Sequence, residues 1–516
     1  MQSPSSIYRS RIWNLRTVAL LFAVPALLLA WHIGNYALYA ARSVAYRHGL
    51  DFGEGIVWQQ MLLMPGPRMY GDIHTYPYVV FHYTPLYHAI VRMVGALGAD
   101  ILATGRLISV LCTFGASALV VVAARRMLLD EKTPSTPAWM IATLSGLLLF
   151  SFRPLWSWSV LLRSDMLALL LTLAGFVLML HAFRREWLAH VAMVLFVLGV
   201  YSKQTFVAAP AATLLVWLLC DYRVALRLGM TGAVLGGALL VWLSWLTSGG
   251  FILHVILYNV NPFGLRLMLY HFWTQKIFVL YAMLAIAALM LLLHRGWTNY
   301  GLRGWANIRA RLRDDPRAYR LALVALYLPA SALMLITMGK EGAGPNYLME
   351  WFAIACVALA PLFAWSVSSI TTGSARTTGI AILALLTVQL TIAPSTYDAN
   401  PDANRAKVVE LDELVDMARK ASSPVLSDNM VVLMRAGKEV PLESAIFHAL
   451  SIKGVWDQRP FVAMLARGDF AFIISDGDDD SNLYRGRYTE EMREAIRAAY
   501  PVRRRMAGHV VHLPKP

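Results

Sequence analysis

Two carboxylates, Asp51 and Glu54, stand three residues apart in the run Asp51-Phe52-Gly53-Glu54-Gly55. They follow, within one loop, an apolar stretch from Thr17 to Ala41 that is long enough to span a bilayer. A carboxyl pair beside lipid headgroups is costly to keep unless it is solvated or used. The chemistry open to it is proton abstraction from a hydroxyl, positioning of a substrate, or retention of a divalent cation.

Several cationic and polar groups fall at expected outer ends of apolar stretches, where positive charge is normally depleted. Arg106 sits near the start of the second stretch, and Arg163-Ser164-Asp165 opens the fourth. Lys203-Gln204 separates two others, and Lys340-Glu341-Gly342-Ala343-Gly344-Pro345-Asn346-Tyr347 links a further two. Each has an ordinary reading. Arg106 could snorkel to headgroups, Arg163 could pair with Asp165, Lys203 could punctuate a turn, and the glycines could be a flexible connector. Their gathering on one face says more. Cations ringing an outer cavity suit a phosphate, with Arg as a fork and Lys as a point charge, and a carboxylate beside them suits a base. The first outer loop adds Trp58, Tyr70, Tyr76, Tyr78, His82, Tyr83 and Tyr87. Such rings favour membrane interfaces, and they also pack against the apolar faces of a sugar. The loop at 248–272, with Tyr258-Asn259, either roofs the same cavity or is an amphipathic turn.

These groups need elements to hold them, and composition says which. Of 516 residues, 58% are hydrophobic and 15% charged, against roughly 45–50% and about 25% in soluble domains. The chain reads as a polytopic α-helical membrane protein. Its net charge of +15 comes from short loops between apolar runs, so topology and anionic headgroups explain it and nucleic-acid binding is not expected. The expected spans are 17–41, 102–124, 138–152, 165–183, 187–202, 204–220, 227–247, 273–294, 320–338, 347–368 and 376–394, about eleven in all. Arg125-Arg126, Arg184-Arg185, Arg223 with Arg227, and the basic block from Arg295 to Arg320 then mark the cytoplasmic side. Pro85 to Leu97 is too short to cross and reads as a juxtamembrane helix. The first outer loop thus runs over 42–101, the N-terminus is cytoplasmic behind an uncleaved anchor, and the C-terminus lies outside. Cys112, Cys220 and Cys356 lie far apart in apolar runs, as buried hydrophobes without metal-ligand spacing.

From about Ser395 the long apolar runs stop. Pro424–Ser427, Phe470–Ser475 and Val510–Leu513 read as strands and Glu490–Tyr500 as a helix, so 1–394 is expected to be the membrane module and 395–516 a small outer α/β domain. Asp476-Gly477-Asp478-Asp479-Asp480 lacks the Glu spacing of a calcium loop and reads as a solvated turn. Asp428, Glu443, His448 and Asp457 are scattered.

In order and spacing the motifs resemble the bacterial GT-C superfamily of polyprenyl-phosphate-sugar-dependent glycosyltransferases, which includes protein mannosyltransferases and lipid A aminoarabinose transferases. The resemblance runs from the acidic loop through Gly66-Pro67-Arg68-Met69-Tyr70 and Tyr83-Thr84-Pro85-Leu86-Tyr87. It continues through Arg106, Arg125-Arg126, Arg163-Ser164-Asp165-Met166 and Lys203-Gln204 to Asn346-Tyr347. It implies a GT-C-like fold with juxtamembrane helices in a bacterial inner membrane, and inverting transfer of a hexose or pentose at the outer face. The donor would be a polyprenyl-phosphate sugar and the acceptor a glycan, lipid or protein hydroxyl. Carried over, Asp51 is the base and Glu54 the second candidate, for base or positioning. Arg106, Arg163 and Lys203 bind the donor phosphate, and His82, Tyr83, Tyr87, Asp165, Gln204, Asn346 and Tyr347 contact substrate. Many relatives have adjacent Asp-Glu. The spacing of three here still puts both on one face of a helix, and permits a divalent cation. The rival readings are a transporter or flippase of an anionic or lipid-linked substrate, an assembly protein whose outer domain binds a partner, and a polymerase using polyprenyl-diphosphate glycans.

Overall fold

The computed structural model describes residues 13–259, 261–393 and 407–515. The expected domain boundary at 394/395 falls outside them. A long first helix, α1 (Leu15–Ala45), leads into a long first loop with two short helices, α2 (Phe52–Leu62) and α3 (Leu86–Gly95). Then follow α4 (Ile101–Asp130), α5 (Ser135–Leu147, extended by one 3-10 turn to Ser151), α6 (Arg153–Ser159), α7 (Asp165–His181), α8 (Glu186–Ser202), α9 (Ala208–Cys220) and α10 (Tyr222–Leu246). After a loop come α11 (Leu265–Thr274), α12 (Val279–Thr298), α13 (Trp305–Asp314), α14 (Pro316–Met334), α15 (Leu348–Thr372) and α16 (Arg376–Ile392).

Every expected span is largely helical. Six helices are long and apolar enough to cross a membrane, and a seventh crossing arises if α5 and α6 are one span; α7, α8, α9 and α16 are shorter apolar helices. The stretch expected as one span over 138–152 is instead bent by 70° where α5 gives way to α6. Pro154, in the first turn of α6, forbids continuation of the helix behind it. The core is α15, whose alanines (Ala353, Ala355, Ala358, Ala360) let α4, α5, α14 and α16 approach closely. Apolar side chains on the outer flanks stay exposed, among them Leu20 and Leu27 of α1 and Val234 and Val241 of α10. A belt of this extent is what lipid covers.

The outer part holds α17 (Val408–Lys420), β1 (Leu426–Ser427), α18 (Met430–Ala436), α19 (Ser444–Ile452), α20 (Arg459–Arg467), β2 (Ile473–Ser475), α21 (Glu490–Ala499), β3 (Val502–Met506) and β4 (His509–Leu513). The sheet order is β1-β2-β4-β3, with β1 and β2 parallel and the other pairs antiparallel. The edge strand β3 was not expected, because Val502-Arg503-Arg504-Arg505-Met506 has no apolar alternation. Its arginines find carboxylates instead: Arg503 meets Asp479, Arg504 meets Glu413 and Arg505 meets Asp478. An edge so charged resists pairing with another chain. The first outer loop belongs to the same core. Ile73, Tyr78 and Val80 pack with Phe447, Trp456 and Phe461, and the Tyr78 amide donates to the Pro441 carbonyl at 2.9 Å.

Candidate active site

The two carboxylates part company. Asp51 is the N-cap of α2, with extended backbone (φ −147°, ψ 148°), and its Oδ1 accepts from the Gly53 amide at 2.8 Å. A cap lies outside the helix, so the helical spacing expected to align Asp51 with Glu54 does not apply. The Asp51 side chain is 32% exposed and that of Glu54 is 0%.

Glu54 and Arg106 form a closed pair. Arg106 Nε meets Glu54 Oε1 at 2.8 Å and Nη2 meets Oε2 at 2.6 Å. The remaining N–H groups of Arg106 donate to the carbonyls of Ser43, Tyr46 and His48. Glu54 also accepts from the Leu162 amide (2.9 Å) and the Leu50 amide (2.8 Å). All five guanidinium donors are therefore used. Arg106, expected to bind phosphate, has none to offer, and Glu54, expected as second base, has both oxygens doubly occupied. The pair ties the end of α1, the start of α2 and the α6–α7 junction to α4. Tyr87, expected to touch substrate, is likewise buried, its hydroxyl donating to the Gly105 carbonyl at 2.9 Å and lying 3.2 Å from Ser109 Oγ.

The other expected residues converge. Arg163 Nε donates to Asp51 Oδ1 at 3.1 Å, its Nη2 also reaches Oδ1, and its Nη1 donates to the Tyr83 hydroxyl at 2.9 Å. No partner for Asp51 Oδ2 occurs among the described residues. Two N–H groups of Arg163 stay uncommitted there. The approach is close enough that a Cβ on Gly53 would sit 2.0 Å from Arg163 Nη2, so a side chain there would push the guanidinium off its place. Two residues on, Asp165 Oδ1 pairs with Lys203 and accepts from Asn346 Nδ2 at 2.7 Å, while the Lys203 ammonium stands 5.5 Å from the Tyr347 ring centroid. Gln204 Nε2 and Asn259 Nδ2 both donate to the His82 carbonyl, at 2.9 and 3.1 Å. Lys340 Nζ donates to Asn259 Oδ1 at 3.2 Å. The loop around Tyr258 thus roofs the cluster. Burial, with Arg163 nearby, pushes the His82 imidazole down to about 3, so it is neutral at physiological pH.

At Glu54 the Arg106 guanidinium takes both oxygens, whereas at Asp51 the Arg163 guanidinium takes Oδ1 alone. Among the described residues no group of three His, Cys, Asp or Glu side chains is arranged to hold a divalent cation.

Three functional candidates escape sequence reading. An apolar groove of about 1040 Å³ runs between α11, α12 and α14, lined by Phe152, Trp273, Leu289, Leu335 and Trp351. Arg266 and Lys276 stand on its wall. Lys276 lies 4.0 Å from the Trp273 ring centroid, and neither cation has a carboxylate partner among the described residues. The signal was an apolar ten-residue helix, α11, with no buried residue and a basic group at each end. Glu350 is the third: an intramembrane carboxyl, 6% exposed, taking the Tyr327 hydroxyl at 2.8 Å. Its presence within an expected span was the available clue.

No family model matches the chain, and no curated protein matches it. Solved structures do. ArnT from Cupriavidus metallidurans bound to undecaprenyl phosphate is 14% identical, with a TM-score of 0.53, over 95% of this chain and 98% of that one. Its apo form gives 0.54 at 14% identity, over 94% and 97%. The archaeal oligosaccharyltransferase AglB from Archaeoglobus fulgidus, in complex with an inhibitory peptide and a dolichol-phosphate, gives 0.51 at 13% identity, over 91% and 72%. Nearly the whole chain, membrane helices and outer part together, superposes on these transferases, and the protein therefore has the GT-C fold.

Proposed function

We propose that the protein is an inverting glycosyltransferase that moves a sugar from a polyprenyl-phosphate donor to an acceptor hydroxyl at the outer face of a bacterial inner membrane. The observation that carries this reading is the half-tied carboxylate: Asp51 has Oδ1 held by Arg163 and Oδ2 free, beside the cationic cluster. Polyprenyl and dolichyl phosphates bind the two GT-C neighbours, and an apolar groove with two unpaired cations suits such a lipid here.

In the transfer, Asp51 takes the acceptor proton as the acceptor oxygen bonds to the anomeric carbon from the face opposite the phosphate. The anomeric C–O bond breaks, and its electron pair leaves on the polyprenyl phosphate. Arg163 holds the base in place and, with Lys203, faces the charge that develops on the leaving group. The donor already carries a competent leaving group, so alignment and charge stabilisation supply most of the acceleration. Arg106 and Glu54 act on this chemistry only by fixing the loop that carries Asp51.

The test is transfer of radiolabelled sugar in proteoliposomes across a panel of polyprenyl-monophosphate sugars. Wild type should transfer, and Asp51→Asn should lose about 10²–10⁴-fold in rate while keeping its melting temperature and its donor affinity. Full activity in Asp51→Asn would refute the assignment of the base. Absence of both donor binding and transfer across the panel would refute the function.

A further inference from the structure

The ends of the helices remote from Asp51 enclose a polar cavity that sugar transfer does not use. Its volume is about 400 Å³, and Trp13, Lys132, Arg295, Arg317, Trp365 and Ser368 stand in its wall. Helix α4 connects the two ends, with Arg106 near its start and Asp130 at its last residue. At about 1.5 Å per residue that run covers about 36 Å, more than the roughly 30 Å of a hydrocarbon core. The exposed Trp139, Trp297 and Trp305 mark the same end, as tryptophans do at a membrane boundary. We propose that this cavity binds the phosphodiester of an anionic glycerophospholipid from the leaflet opposite Asp51, with Lys132 and Arg317 as its counter-charges.

Charge decides the occupant. Arg126, Lys132, Arg295, Arg317 and Arg320 gather here against three carboxylates, Asp130, Glu131 and Asp315, and all three carboxylates are spent. Asp130 takes Arg320 at both oxygens, Nε to Oδ2 at 2.5 Å and Nη2 to Oδ1 at 2.7 Å, with Arg126 Nη2 3.5 Å from Oδ1. Glu131 pairs with Arg295, and Asp315 caps α14 by accepting from the Arg317 amide at 2.8 Å. The side chains of Lys132 and Arg317 are exposed, and no partner for either occurs among the described residues. Lys132 stands at φ 61°. Around it the Thr133 amide donates to the Leu128 carbonyl at 3.1 Å and the Lys132 amide to that of Leu129 at 3.0 Å. This is the helix close whose left-handed position ordinarily goes to glycine, so a lysine is kept there against backbone strain. The Tyr300 and Ser368 hydroxyls also line the cavity, and neither has a partner among the described residues. A phosphodiester accepts from every one of these groups. The tryptophans set the cavity at headgroup depth, where the phosphate at hand belongs to a lipid, and basic pockets between helix ends are suited to such headgroups. Bound there, the headgroup joins the ends of α4, α12, α14 and α15 across the membrane from the Asp51 cluster.

Native mass spectrometry of the full-length protein, delipidated in a non-ionic detergent, tests this. The probes are dioleoyl phosphatidylglycerol, dioleoyl phosphatidylethanolamine, undecaprenyl phosphate and inorganic phosphate. Phosphatidylglycerol should be retained at concentrations that leave phosphatidylethanolamine unbound. The double variant Lys132→Gln with Arg317→Gln should weaken its tightest binding about tenfold or more. Both side chains are exposed, so that variant should keep the melting temperature of wild type. Ser368→Trp fills the cavity without altering charge and should weaken binding as well, which separates an occupied site from general attraction. Arg266→Gln with Lys276→Gln, on the other groove, should leave this binding unchanged. Equal retention of phosphatidylethanolamine overturns the proposal, as does phosphatidylglycerol binding that the folded Lys132 and Arg317 double variant keeps in full. Displacement by millimolar inorganic phosphate would make the ligand a soluble anion. Tighter retention of undecaprenyl phosphate, lost in the same double variant, would make the cavity a site for a carrier lipid; either result also overturns it.

Discussion

Glu54 and Asp51 separate structure from chemistry over a distance of three residues. Glu54 shares a fully buried site with Arg106, and every donor and acceptor there is matched. Neutralising one partner of such a pair leaves the other charge buried and unpaired, at a cost of about 3–5 kcal/mol. Glu54→Gln should therefore lower the melting temperature and the yield of folded protein, whereas Asp51→Asn, at a partly exposed cap, should leave both near wild type. Scanning fluorimetry of the purified variants checks this. A stable Glu54→Gln protein that binds donor but does not transfer would return Glu54 to the list of bases. The sequence made both carboxylates conspicuous, as it did Arg163, Asp165 and Lys203. It could not tell which of them face a cavity, because that depends on Asp51 being a cap and on three distant carbonyls closing over Arg106. Side-chain type marks a residue as costly to bury; only the tertiary partners decide whether the cost is met by structure or put to use.

At the scale of elements, periodicity and length made the membrane helices and most of the outer sheet readable. The failures are local and physical: Pro154 bends an apolar run that length alone would make a single span, and β3 is a strand held by its backbone ladder to β4, not by an apolar face. The outer helix α19 carries a testable device of the same kind. Its N-cap is Glu443, 3% exposed, whose carboxylate accepts from the Ile446 amide at 3.1 Å. Burial pushes this carboxyl up from 4.5 to about 7, so the folded state prefers the proton. The stability tied to it is fully present below about pH 4.5, and it is lost as the pH rises through about 7. A shift of this size corresponds to up to about 3 kcal/mol. Amide exchange of α19, corrected for intrinsic rate, should be faster at pH 8.5 than at pH 6 in wild type. Glu443→Gln keeps an oxygen for the cap and should abolish that difference; an unchanged difference would place the titrating group elsewhere.

The molecule as a whole is organised around one junction. The helices deliver Arg163, Lys203 and the roof at Asn259 to one end of the bundle, and the first loop threads Asp51 between them and the C-terminal sheet. The outer part is not an appendage, since Ile73, Tyr78 and Val80 complete its core. A separate groove runs between α11, α12 and α14. Arg266 and Lys276 stand on its wall on exposed positions of an otherwise apolar surface, and neither is neutralised by a carboxylate among the described residues. Two unpaired cations beside lipid are explained if an anionic headgroup docks there while its tail fills the groove. Undecaprenyl phosphate should then raise the melting temperature of the detergent-purified protein in a concentration-dependent way. The double variant Arg266→Gln with Lys276→Gln should lose part of that shift, the remainder resting on Arg163 and Lys203, and Asp51→Asn should keep it. Undecanol-length alcohols lacking a phosphate should stabilise little, because the apolar groove is already satisfied by detergent. If the double variant retained the full shift, the phosphate would have to be held by Arg163 and Lys203 alone, and the groove would be an ordinary lipid-facing surface with no part in donor binding.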